Sequence, residues 1–131
     1  MTLTHTRVSP PTVNLAYAGR GTHGMHRARS AGPAQLDSVE IQAGIGFGGE
    51  WDRAQLWLIL KGQGRMVHGE AGEPLAAATG HMEHFAAQER RLLVAETDVT
   101  LLIIEADQFH FAGPWSEWQE PWRRVVGHHG V

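Results

Sequence analysis

From Leu36 to Glu105 the apolar residues of this chain arrive in short runs rich in Val, Ile, Leu, Trp and Phe, each closed by glycine or by an acidic turn. No sustained stripe at helical spacing crosses this region, and runs that short and that rich in β-formers pack as strands of a sheet. The strands are expected at 13–18, 38–47, 55–60, 64–68, 74–79, 81–86, 91–95 and 99–105. The chain is therefore expected to be all-β.

A chain of 131 residues fits one domain, which buries roughly two-thirds of its unfolded surface. The single domain, 1–131, divides into an N-terminal strand and loop arm at 1–35, a barrel core at 36–107 and a Trp-rich tail at 108–131. In the arm, the stretch 19–33 is rich in Gly, His, Arg and Ser and lacks hydrophobic periodicity, so it reads as a loop. In the tail, Trp115, Trp118 and Trp122 recur at helical spacing and Ser116 with Gln119 fits a capping box, so a short C-terminal helical tail is expected, interrupted at Pro121. The apolar surface of Phe109, Phe111 and these tryptophans must be covered, either by the barrel of the same chain or by a second copy, and a homodimer is the expectation.

Eleven Lys and Arg against fourteen Asp and Glu leave a net charge of -3, which gives no basic footprint for nucleic acid. No apolar run is long enough for a membrane span and residues 1–11 are too polar for a signal peptide, so no membrane is expected as a partner and the expected location is cytoplasmic. The absence of cysteine excludes disulfides, thiol catalysis and cysteine metal sites, while nine histidines leave imidazole ligation open. The Gly19, Gly21 and Gly24 spacing of a dinucleotide fingerprint is present, but no helical pattern follows it.

The segment Lys61-Gly62-Gln63-Gly64 suits a tight reversal between paired strands, and 68–74 reads as a second turn linking two strands at the barrel rim. The stretch Ala54-Gln-Leu-Trp-Leu-Ile-Leu-Lys-Gly-Gln-Gly-Arg-Met66 resembles the first motif of the cupin superfamily, in which a strand leads into a glycine turn. The second motif, a Gly-Asp pair followed after four residues by Pro-x-Gly-x-x-His, falls without gaps on residues 80–91. The likeness spans about Ser38 to Asp107. It implies a single cupin-type β-barrel, a double-stranded β-helix or jelly roll.

In cupins two histidines and a glutamate of the first motif and a histidine of the second bind a divalent metal. With Gly62 as the turn glycine, Gln55 takes the place of the glutamate, residues 48–52 replace the histidine pair with Gly-Gly-Glu-Trp-Asp, and Arg91 stands at the last histidine. Arginine is cationic and has no lone pair to offer a metal, so the resemblance implies a cupin without metal or other cofactor. The ligand-binding residues expected at the barrel mouth are Glu50, Asp52, Gln55, Trp57 and Arg91, with His68 a further candidate.

Arg91 would anchor a carboxylate or phosphate through its planar fork, or sit at a strand start paired with Glu89 or Asp52. Glu50 and Asp52, one residue apart, would share a face for acid–base work, or belong to an exposed glycine-rich turn. His81 and His84, three apart on a strand, point to opposite faces and do not form a metal pair. The expected function is a cupin that binds a small organic ligand, anionic in character, without the usual metal centre. The alternative is a cupin-type enzyme, an isomerase, lyase or dioxygenase-like protein, using Glu50, Asp52 or histidines as base or metal ligands and marked by a buried polar cluster with shifted pKa values or by bound metal.

Overall fold

The computed structural model describes residues 3–18, 25–69 and 72–112, and all regular structure among them is β. The strands are β1 (Leu3–Val8), β2 (Asn14–Ala18), β3 (Met25–Ser30), β4 (Ala34–Ile41), β5 (Gly46–Gly49), β6 (Ala54–Lys61), β7 (Gln63–His68), β8 (Leu75–Ala78), β9 (Met82–Phe85), β10 (Arg91–Ala95), β11 (Val99–Ala106) and β12 (Phe109–Ala112). They form three sheets, in the orders β1-β4-β11-β6-β9, β5-β10-β7-β8 and β12-β3-β2. Every pairing between them is antiparallel.

Strand alternation builds two cores from one sequence. On β11, Val99, Leu101 and Ile103 point inward and meet Val39 and Ile41 of β4, Trp57 and Ile59 of β6, and Met66 and Leu93 from the facing four-stranded sheet. The intervening residues turn the other way: Leu56, Met82, Ile104 and Ala106 pack against Ala28 and Phe109 of the three-stranded sheet, with Val13, Leu15 and Phe111 partly buried beside them. The centre of the five-stranded sheet is thus apolar on both faces, which is why β6 and β11 read as near-continuous apolar runs in the sequence.

Several expectations are corrected. The run expected at 38–47 is two strands, because the chain reverses where the Ile45 amide donates to the Gln42 carbonyl (3.0 Å) and Asp98 Oδ1 accepts from the Ala43 amide (2.9 Å). Strands β6 and β7 are not a hairpin; they lie in different sheets, and Gly62 at φ +94° makes the corner between them, where a Cβ would collide with the Asp98 carbonyl oxygen. The paired hairpin is β7 with β8. Within the stretch read as a loop, residues 25–30 form β3, whose inward residues Ala28 and Ser30 are too small or polar to mark a core strand, while Arg27 and Arg29 face solvent. Residues 109–112 at the start of the tail are strand, and the helix expected around Trp115, Trp118 and Trp122 lies outside the described residues. Among the described residues no helix is long and apolar enough to cross a membrane.

Candidate functional site

Seven polar or charged residues are buried among the described ones, and five of them, Gln55, His68, His81, Glu83 and Arg91, join one hydrogen-bonded cluster inside the barrel. Register places them there. Arg91, first in β10, lies opposite His68 of β7 and Gly49 of β5, while Gln55 of β6 lies opposite Phe85 of β9 and Glu105 of β11, and Trp57 lies opposite Glu83.

Arg91 is fully buried. Its Nε donates to the Glu89 carbonyl (2.9 Å), Nη1 to Gln55 Oε1 (3.0 Å) and Nη2 to the Ala86 carbonyl (2.8 Å). The guanidinium also stacks between Trp51 and Phe85, at 5.2 and 5.0 Å from the ring centroids. Gln55 Oε1 also accepts from Trp57 Nε1 (2.8 Å), and its Nε2 donates to Glu105 Oε2 (2.8 Å), which fixes the orientation of the amide. All three hydrogen-bond acceptors of Arg91 are neutral oxygens, and no carboxylate among the described residues lies within ion-pair distance of it. Burial pulls the guanidinium down to about 10, against the upward pull of Glu89, Glu105 and Glu50. It stays protonated at neutral pH, with two of its five N–H groups uncommitted.

The second branch runs through histidines. His68 Nδ1 donates to Glu83 Oε2 (3.0 Å) and Nε2 to Glu89 Oε2 (2.8 Å), and His81 Nε2 meets Glu83 Oε1 (2.9 Å). Burial alone would push His68 down, but the two carboxylates reverse the effect and raise it to about 9. Burial alone would push Glu89 up; the His68 N–H and the Ala86 amide (2.6 Å) hold it below its usual range. Glu83 has no exposed surface and each of its oxygens faces an imidazole. His81 Nδ1 is the one buried side-chain polar atom among the described residues that lacks a hydrogen-bond partner. Glu89 joins the two branches, its carboxylate accepting from His68 and its carbonyl from Arg91.

Of the residues expected at the site, Gln55, Trp57 and Arg91 come together and His68 lies beside them, its ring 4.5 Å from that of Phe85. Glu50 and Asp52 are exposed: Glu50 pairs with Arg90 (3.5 Å), and Asp52 Oδ1 accepts from Gln88 Nε2 (3.3 Å). His81 faces inward, whereas His84 lies on the opposite face of β9 between Phe109 and Phe111, where burial pushes it down to about 4. Glu83 is not among the residues expected at the site, and Glu89 is expected only as a partner for Arg91. The signal for Glu83 was its spacing from His81, since residues two apart on a strand share a face.

The alignment with the second cupin motif has a check in the backbone. Gln88 takes the place of the motif's glycine, and it is the one non-glycine described with positive φ, at 71°. The residues at the metal positions do not fit a divalent cation. Gln55 supplies a neutral oxygen already holding two donors, Arg91 brings a positive charge to the same point, and no histidine lies at 48–52. Among the described residues no group of three His, Asp or Glu is arranged to hold a metal ion.

No family model matches the sequence and no curated protein is significantly similar to it. Solved structures are similar in fold. A cupin superfamily protein from Desulfitobacterium hafniense DCB-2 superposes with a TM-score of 0.52 at 13% identity, covering 74% of this chain and 78% of that one. The plu4264 protein from Photorhabdus luminescens gives a TM-score of 0.57 at 9% identity, over 99% of this chain and 87% of its own. Ectoine synthase from P. lautus gives 0.52 at 17% identity over 56% of this chain, which spans only 54% of that enzyme.

Proposed function

We propose that this chain, a cupin by fold, is a small-molecule-binding barrel without the usual metal centre, taking a small organic anion against Arg91. The observation that carries this is a fully buried guanidinium with two uncommitted N–H groups and no carboxylate in contact. Buried charges are ordinarily paired, and Trp51 and Phe85 offset the desolvation of Arg91 only in part. A bound carboxylate or phosphate would complete the pairing through a bidentate fork. Gln55 Oε1 holds one nitrogen of the fork and is itself held by Trp57 Nε1, while Glu50 and Asp52 are exposed and make no contact with it. In this reading the protein is cytoplasmic and a homodimer, the latter open to light scattering.

The test combines elemental analysis of untagged protein with calorimetric titration of succinate, citrate and inorganic phosphate into wild type, Arg91→Lys and Arg91→Met. Binding to the wild type that is lost in Arg91→Met and weakened in Arg91→Lys, with no stoichiometric transition metal, supports the reading. A metal at one per chain, or anion binding that Arg91→Met leaves unchanged when the exposed Arg27 and Arg29 are also replaced by Gln, overturns it.

A second reading rests on the hydrogen-bonded series Glu89, His68, Glu83, His81, which links a partly exposed carboxylate to a buried imidazole and suits proton transfer in an isomerase or lyase. Turnover of a bound anion that disappears in Glu83→Gln while binding persists would select this reading over binding alone.

A further inference from the structure

The three-stranded sheet turns one face to the second core, and none of the described strands packs on the other. Its register sets His110, Arg29 and Asn14 side by side in one row across β12, β3 and β2, and Arg27 in a second row beside Ala16. All five side chains are exposed, and none is acidic. Both arginines stand on the central strand, where hydrogen bonds on either side fix their positions, and as alternate residues their Cα atoms are about 7 Å apart on the same face. Like charges so placed repel, and among the described residues neither arginine has a carboxylate partner. The small side chain of Ala16 leaves room beside Arg27. The result is a trough of about 500 Å³ to which Asn14, Ala16, Arg27, Arg29 and His110 contribute beside the apolar Leu15, Ala28 and Phe111, within the range of small-molecule sites.

We propose that this trough binds a phosphoryl dianion carried on a small molecule, with Arg27 and Arg29 closing on it from one strand and His110 adding a third polar contact. Two guanidinium forks on one strand face match the charge and the several oxygens of a compact dianion better than those of a monocarboxylate. The site is separate from Arg91, which is buried inside the barrel, and it stands or falls independently of the function proposed there.

Calorimetric titration of phenyl phosphate into full-length protein carrying Arg91→Met, which removes the barrel's own candidate anion contact, tests the assignment at low ionic strength, with phenylacetate as the singly charged control. Saturable one-to-one binding is expected, weakening about tenfold for each of Arg27→Gln and Arg29→Gln, since one charge-assisted contact is worth about one decade of affinity. It should weaken again as salt shortens the screening length toward about 8 Å. Both arginines are exposed and repel each other, so each variant keeps or slightly raises the melting temperature of its Arg91→Met parent. Absence of phenyl phosphate binding, equal affinity for phenylacetate, or binding untouched by the double variant overturns the proposal. Retention on heparin without phenyl phosphate binding overturns it too, in favour of a polyanion surface.

Discussion

Raising the pH through 9 should remove the proton from His68 and with it a measurable part of the stability of the fold. In the folded chain His68 holds its proton to about 9, against 6.5 for an unconstrained imidazole. The protonated ring donates from both nitrogens, to Glu83 and to Glu89; the neutral ring has one N–H and leaves one carboxylate facing a lone pair. Because the folded value lies above the unfolded one, the stabilisation is fully present below pH 6.5, declines above it, and is gone once the folded group has titrated near 9. A displacement from 6.5 to about 9, at about 1.4 kcal/mol per pH unit, amounts to about 3 kcal/mol. Urea unfolding followed by tryptophan fluorescence, on wild type and His68→Gln at pH about 6.5 and about 10, isolates this contribution, since groups common to both proteins cancel. The stability gap should narrow by about 3 kcal/mol over that interval. A gap that stays constant, or an NMR titration of His68 with a midpoint near 6.5, would refute the reasoning.

His84 works in the opposite window. Held at about 4 by burial, it stays neutral in the fold while the unfolded chain takes up a proton below 6.5, so stability should fall by about 3 kcal/mol between pH 6.5 and 4. His84→Phe should lose that part of the acid sensitivity, read from urea midpoints at the two pH values. Gln88→Gly should leave stability unchanged or raise it by up to about 1 kcal/mol, because relief at φ 71° is offset by the entropy of glycine, while Gln88→Val should cost about 1–2 kcal/mol in thermal unfolding. Gly62→Ala should lower stability by about 2 kcal/mol or more, since both the positive φ and the Asp98 carbonyl oppose a Cβ there; an unchanged melting temperature would show that the corner relaxes freely.

The barrel was legible in the sequence wherever large apolar residues alternate or cluster, as from Ala54 to Lys61 and from Val99 to Ala106. It was illegible where the inward residues are small: β3 buries Ala28 and Ser30, and nothing in their hydrophobicity separates them from a loop. The break between β4 and β5 was hidden for another reason, since Asp98, fifty-five residues away, caps the turn and no local pattern reports so distant a partner. Gln55, Trp57 and Arg91 could be placed together because a known pattern of turns and strands fixed their positions. The histidine branch was legible only in part: His81 and Glu83, two apart, share a face by spacing alone, but the contacts of His68 with Glu83 and Glu89 form only once β7 packs across the barrel from β9 and the turn that follows it.

The two-sided burial of the five-stranded sheet has a cost for the way its strands find one another. In a sheet with one wet face, a slip by one residue exposes the core and is rejected; here β6 and β11 are apolar on both sides, so hydrophobicity alone scarcely distinguishes the right alignment from its neighbours. Gln55 and Glu105 break that degeneracy. They lie directly opposite each other across the two strands and are hydrogen-bonded at 2.8 Å, so a one-residue slip would part them and bury an unpaired amide. A chain in which both were replaced by leucine could keep its stability and still lose the uniqueness of its strand alignment, making this buried polar pair a keeper of topology as well as a neighbour of the site.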